Sequence, residues 1–67
     1  MSVVKVIEIL AESTESWEAA TQAAVKEAAK TVRNIQIVYV DSQQAIVEGD
    51  KVVRYRVGTK ISFIVQD

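Results

Sequence analysis

The tetrapeptide Glu48-Gly49-Asp50-Lys51 reads as a tight turn between two long strand-like stretches, Ile35 to Val47 and Val52 to Val65. Strands ordinarily run about 5–6 residues, so each arm is roughly twice the usual length. One short helix cannot cover a hairpin of that size. In a chain of 67 residues the uncovered surface has to be closed by further copies of the same chain. The sequence therefore reads first as an assembly unit.

The chain is one domain over residues 1–67, a size at which a core alone is marginal and partners are usual. It has no cysteine and no histidine, which excludes disulfides, thiolate and imidazole metal sites, cysteine nucleophiles and the Ser/His/Asp arrangement. Hydrophobic residues make up 49% of the chain, with 2 glycines and no proline. That is more apolar material than a small monomer can hide. A formal charge of −1 provides no basic field, so nucleic acid is not an expected partner. The start, Met1-Ser2-Val3-Val4-Lys5, lacks the apolar core of a secretory leader, and no run approaches the ~20 residues of a membrane span. The expected setting is cytoplasmic, away from any membrane.

Val3 to Ala11, rich in β-branched residues, reads as a short strand. Ser13 and Thr14 offer an N-cap, with Glu15 and Glu18 in the first turn and Lys26, Lys30 and Arg33 toward the far end, as the helix dipole prefers. Trp17, Ala20, Ala24, Ala28 and Val32 recur at helical spacing and predict a helix over about 14–32. Its stripe is mostly alanine, which packs close to a sheet but buries little area.

With Gly49-Asp50 as a type II′ loop, Glu48 pairs with Lys51, and partners along the hairpin sum to 99. One face then collects Val38, Val40, Ile46, Val53, Tyr55, Val57, Ile61, Phe63 and Val65 and is the core. The other collects Ile35, Ile37, Tyr39, Asp41, Gln43, Ala45 and Val47 with Arg54, Arg56, Gly58, Lys60 and Ser62. On it Asp41 falls opposite Gly58 and diagonal to Arg56, Tyr39 opposite Lys60, and Gln43 opposite Arg56. Gly58 inside a strand marks a bend, a bulge or a close approach. The class is α+β, a β-α-β-β protomer with the last strand between the first two in one three-stranded antiparallel sheet.

Three segments resemble the dodecins: Ser13-Thr14-Glu15-Ser16-Trp17-Glu18-Ala19-Ala20, Ala28-Ala29-Lys30-Thr31-Val32-Arg33-Asn34-Ile35 and Tyr55-Arg56-Val57-Gly58-Thr59-Lys60-Ile61-Ser62-Phe63. The resemblance covers nearly the whole chain. It implies a sheet wrapped partly around its helix, twelve copies closing into a hollow shell, and a storage or buffering role without catalysis, with riboflavin or FMN bound between protomers. Flavin-binding dodecins carry a stacking tryptophan where this chain has Ile37, and a glutamine that bonds the flavin edge where it has Arg56. Trp17 lies on the helix and does not substitute. The cofactor-binding candidates are Ile37, Tyr39, Gln43 and Arg56, with flavin affinity expected to be reduced.

Other readings stand beside these. Trp17 reads first as a core anchor at the start of the helix stripe, with stacking on a ligand as its alternative, and Ile37 reads as an apolar interface residue. Arg54, Arg56 and Lys60 either pair with Asp41 and carboxylates of other copies or hold an anionic ligand such as a phosphorylated coenzyme. Asp41, Glu48 and Asp50 are oxygen ligands that suit Mg²⁺ or Ca²⁺ near a symmetry axis. A structural shell with ions or anions at its contacts is the alternative to a flavin carrier. No pairing of a nucleophile with a base supports an enzyme.

Overall fold

The structure is a computed structural model and describes residues 2–65. Strand β1 (Val3–Ser13) leads to helix α1 (Trp17–Ala29), followed by β2 (Ile35–Glu48) and β3 (Lys51–Val65). The three strands form one antiparallel sheet in the order β1-β3-β2. The expected β-α-β-β topology with β3 in the middle is therefore present.

Strand β1 runs two residues beyond the expected Ala11, which moves the helix start. Ser13 ends the strand, and its hydroxyl accepts a hydrogen bond from the Glu15 amide at 2.9 Å. Ser16, not Ser13 or Thr14, is the N-cap, accepting from the Ala19 amide at 2.9 Å. Glu18 sits in the first turn and Lys26 in the last, complementing the helix dipole. After the helix, Asn34 takes φ 63°, a left-handed conformation that asparagine tolerates better than most residues, and turns the chain into β2.

The core is small. Among the described residues the buried hydrophobics are Ala20, Ala24, Ala28, Val57 and Ile61, with Ile7, Ile9, Ala11, Val32, Ile35 and Val38 packed around them. Three of those five are alanines on α1, as the stripe required. Thr59 is buried among them, and its hydroxyl donates to the Ile9 carbonyl at 2.7 Å, so no polar cost is left there. Trp17 is half-buried at the start of α1, edge-on to Tyr55 with ring centroids 5.0 Å apart, and its indole N–H donates to the Gln44 carbonyl at 3.1 Å. It anchors the helix on the sheet.

The molecule is elongated. Its long axis measures 51 Å, whereas a 13-residue helix spans about 20 Å. The radius of gyration, 13.8 Å, exceeds the ~11 Å of a compact chain this long.

The hairpin turn is as expected, with Glu48 opposite Lys51 and Gly49 at φ 65°, but the register changes along the arms. Partners sum to 99 at the turn, to 100 between Ile46–Arg54 and Ser42–Gly58, to 99 again from Val40–Thr59 to Ile37–Ser62, and to 98 at Ile35–Phe63. The extra residues are Val53 on β3 and Asp41 on β2, with a third irregularity at Gln36. Bulges add the twist and bend that strands of 14 and 15 residues need. They overturn part of the uniform pairing. Ser42 rather than Asp41 lies opposite Gly58, Gln44 rather than Gln43 lies opposite Arg56, and Ile46 pairs with Arg54 on the face away from the helix.

Gly58 is buried at the centre of this distortion. A β-carbon there would come within 2.5 Å of Ser42 Oγ and 2.9 Å of Asp41 Oδ1. Both are ends of short side chains that can rotate, so Gly58→Ala is expected to cost about 1 kcal/mol, the low end of overpacking. The expected lower urea midpoint, read at fixed protein concentration, is the check; an unchanged midpoint would contradict this packing.

Candidate functional site

Side chains of paired residues share a face, and alternate residues along a strand share it too. Gly58 has its missing side chain on the face away from α1, against Asp41, Ser42 and Leu10. From Gly58 the pairing builds that outer face row by row. Val6, Ser62 and Ile37 form one row; Glu8, Lys60 and Tyr39 the next; then Leu10, Gly58 and Ser42; then Glu12, Arg56 and Gln44. Arg54 and Ile46 close it toward the turn.

No element of the protomer covers this face. Leu10 is 74% exposed, Ile37 61% and Tyr39 60%, and Val4 and Val6 are similarly open. At its centre a cleft of about 270 Å³ is lined by Glu8, Leu10, Asp41, Ser42 and Gly58. The Asp41 bulge is what raises a carboxylate and a hydroxyl over the bare glycine. Lys60 stands beside it, with its ammonium 3.8 Å from Asp41. The expected Tyr39–Lys60 and Ile37–Ser62 pairs are both present.

The two arginines are committed elsewhere than expected. Glu12 ties them together: Arg54 Nε lies 3.2 Å from Glu12 Oε1, and Arg56 Nε donates to Glu12 Oε2 at 2.7 Å with Nη2 also in contact. Their intramolecular partner is thus Glu12, not Asp41. A strand ending at Ala11 hides this partner. Carried two residues further, the alternation of β1 places Glu8 and Glu12 beside the cations of β3, and that charge match was the signal.

Of the four cofactor candidates, Ile37, Tyr39 and Arg56 share the outer face. Gln43 does not: opposite Val57, it lines a groove of about 370 Å³ on the helix side with Trp17, Thr21, Val25, Val38 and Val40. The Asp41 bulge is the cause, shifting the following residues by one. Ile37 and Arg56 lie in rows six residues apart on β3, about 20 Å. A small ligand on one protomer cannot touch both.

Asp41 and Glu48 are seven residues apart on β2, about 23 Å, and among the described residues no group of three carboxylates gathers. A divalent ion held by three or more carboxylates would draw them from more than one copy. Among the described residues no helix is long and apolar enough to cross a membrane. The arrangement offers apolar surface, one exposed ring, and polar groups around a glycine floor. Those are the elements of a binding surface.

Known proteins share this design. The sequence model of one family, Dodecin, matches residues 3–66. The calcium dodecin of Mycobacterium tuberculosis is 38% identical over 63 residues, spanning 94% of this chain and 89% of that protein. A crystal structure of a tryptophan-to-phenylalanine mutant of the Thermus thermophilus dodecin superposes with a TM-score of 0.93 at 30% identity, covering all of both chains. The crystal structure of the M. tuberculosis calcium dodecin, described as calcium chelating with a novel calcium-binding site, gives a TM-score of 0.84 at 35% identity, over 97% of this chain and 93% of that one.

The Glu12 bridge yields a measurable expectation. Its side chains are 33–45% exposed, so each pair is worth less than about 1 kcal/mol. Glu12→Gln should lower stability by about 1 kcal/mol in low salt, with the difference shrinking in 1 M NaCl, where the Debye length falls to about 3 Å. A loss that does not depend on salt would point to packing instead.

Proposed function

The chain belongs to the dodecin family, and we propose that it is a non-catalytic, homododecameric storage protein that sequesters a flavin, riboflavin or FMN, between subunits. The observation that carries this reading is the outer face, an uncovered sheet surface with Leu10, Ile37 and Tyr39 exposed around a polar cleft. Apolar area of that kind is expensive to leave in water and is closed by association. A gap between two such faces would offer a planar ring apolar surface on both sides. The separation of Ile37 and Arg56, three rows or six residues along β3, also favours a site made from more than one protomer. The cytoplasm, where flavin coenzymes are used, is the matching location.

Affinity for flavin is weak in this reading. Ile37 cannot stack as an aromatic residue does, and Arg56 is engaged by Glu12. Riboflavin titration into the purified protein should quench its fluorescence at micromolar protein, and Ile37→Trp should tighten binding, since an aromatic pair adds about 0.5–1.5 kcal/mol beyond area burial. Absence of quenching at high micromolar concentrations would sink flavin as the cargo.

A second reading follows from the 38% identical relative named for calcium. Carboxylates of several copies, Asp41, Glu48 and Asp50 among them, would ring a Ca²⁺ or Mg²⁺ ion, since hard cations take oxygen ligands. Calorimetry with CaCl₂ separates the readings: heat saturating at less than one ion per chain favours a shared ion site, and no heat rejects it.

A further inference from the structure

The loss of the stacking position at Ile37 raises the question of where on the outer face a planar ring can rest. The chain has four aromatic residues, and the fold assigns three of them to the helix side. Trp17 and Tyr55 pack on each other at 5.0 Å. Phe63, opposite Lys5 and Ile35, lines a separate cavity with Val32 beside the segment that follows α1. Tyr39 is left as the aromatic side chain of the outer face, 60% exposed and without an aromatic neighbour.

Its surroundings fit a ring with a polar edge. Tyr39 stands directly opposite Lys60, Lys60 directly opposite Glu8, and Asp41 reaches back to Lys60 at 3.8 Å. One row thus presents a π face, an ammonium donor and carboxylate acceptors. Ile37 lies two residues along β2 on the same face and extends the platform with an apolar wall. Arg56, by contrast, is four residues along β3 from Lys60, about 13 Å, and bound to Glu12.

Resting on the flavin reading above, we infer that Tyr39 is the stacking residue for the planar heteroaromatic ligand and that Lys60 holds its carbonyl edge. The Tyr39–Lys60 row lies one row along the sheet from the Ile37–Ser62 row. Ring stacking and a charge-assisted hydrogen bond are the two interactions that this row supplies and the Ile37 row does not.

The test uses the intact protein, with riboflavin and lumichrome as probes and fluorescence quenching as the readout. Tyr39→Leu keeps apolar bulk but removes the ring, Tyr39→Phe keeps the ring, and Lys60→Met keeps the aliphatic stem while removing the donor. Elution volume confirms that each variant retains its assembly. Affinity should fall about fivefold or more in Tyr39→Leu, corresponding to a stacking contribution of about 1 kcal/mol. It should persist in Tyr39→Phe and fall severalfold in Lys60→Met. Unchanged affinity of Tyr39→Leu beside a wild type that binds would overturn the assignment while leaving flavin binding intact. No quenching of either probe by the wild type would instead overturn the flavin reading, and with it the role given to Tyr39.

Discussion

Helix and sheet are mismatched in length. A helix of 13 residues lies on a sheet whose long axis reaches 51 Å. Its contact stripe is alanine, and alanine fixes distance better than it excludes water. Close approach of α1 to Val57 and Ile61 makes a core, but one helix on one side leaves the whole outer face uncovered. A three-stranded sheet with a single covered face is a common stable unit. What distinguishes this one is that the uncovered face carries Leu10, Ile37 and Tyr39 where a monomer would carry solvated side chains.

Strand length has a second consequence. Strands this long have to twist and bend, and the bulges at Asp41 and Val53 supply extra twist and a local bend in the hairpin. The Asp41 bulge is also the structural origin of the central cleft, because Asp41 and Ser42 both come to lie over Gly58. A glycine that relieves crowding and an extra residue that creates it are one device. The same shift moves Gln43 to the helix side and Gln44 toward Arg56.

Much of this was legible in the sequence. Alternation, the Gly49-Asp50 turn and the alanine stripe specify topology, and Tyr39–Lys60 and Ile37–Ser62 follow by counting from the turn. Counting fails where a bulge intervenes, since a two-fold alternation cannot reveal an inserted residue: Gln43, Ala45 and Ile46 lie on the faces opposite to those the count predicts, and so does Ile35, which packs on the core. The partner of Arg54 and Arg56 was hidden by a different ambiguity. Ser13, Thr14 and Ser16 are all competent N-caps, and only the path of β1 decides that Ser13 ends a strand while Ser16 begins the helix. A cap at Ser13 would end β1 before Glu12, whereas the strand continues to Ser13 and keeps Glu12 in the sheet. Contacts between copies lie beyond what one chain's pattern can specify.

An outer face that serves as an intersubunit surface makes the protein an oligomer in solution. The molar mass of the purified protein by static light scattering tests it most directly, because the quantity does not depend on ligand or shape. A mass twelve times the 7.4 kDa of the chain is the predicted result. A mass of one chain, unchanged on raising the protein concentration, would mean that the outer face stays open to solvent and that no shell forms.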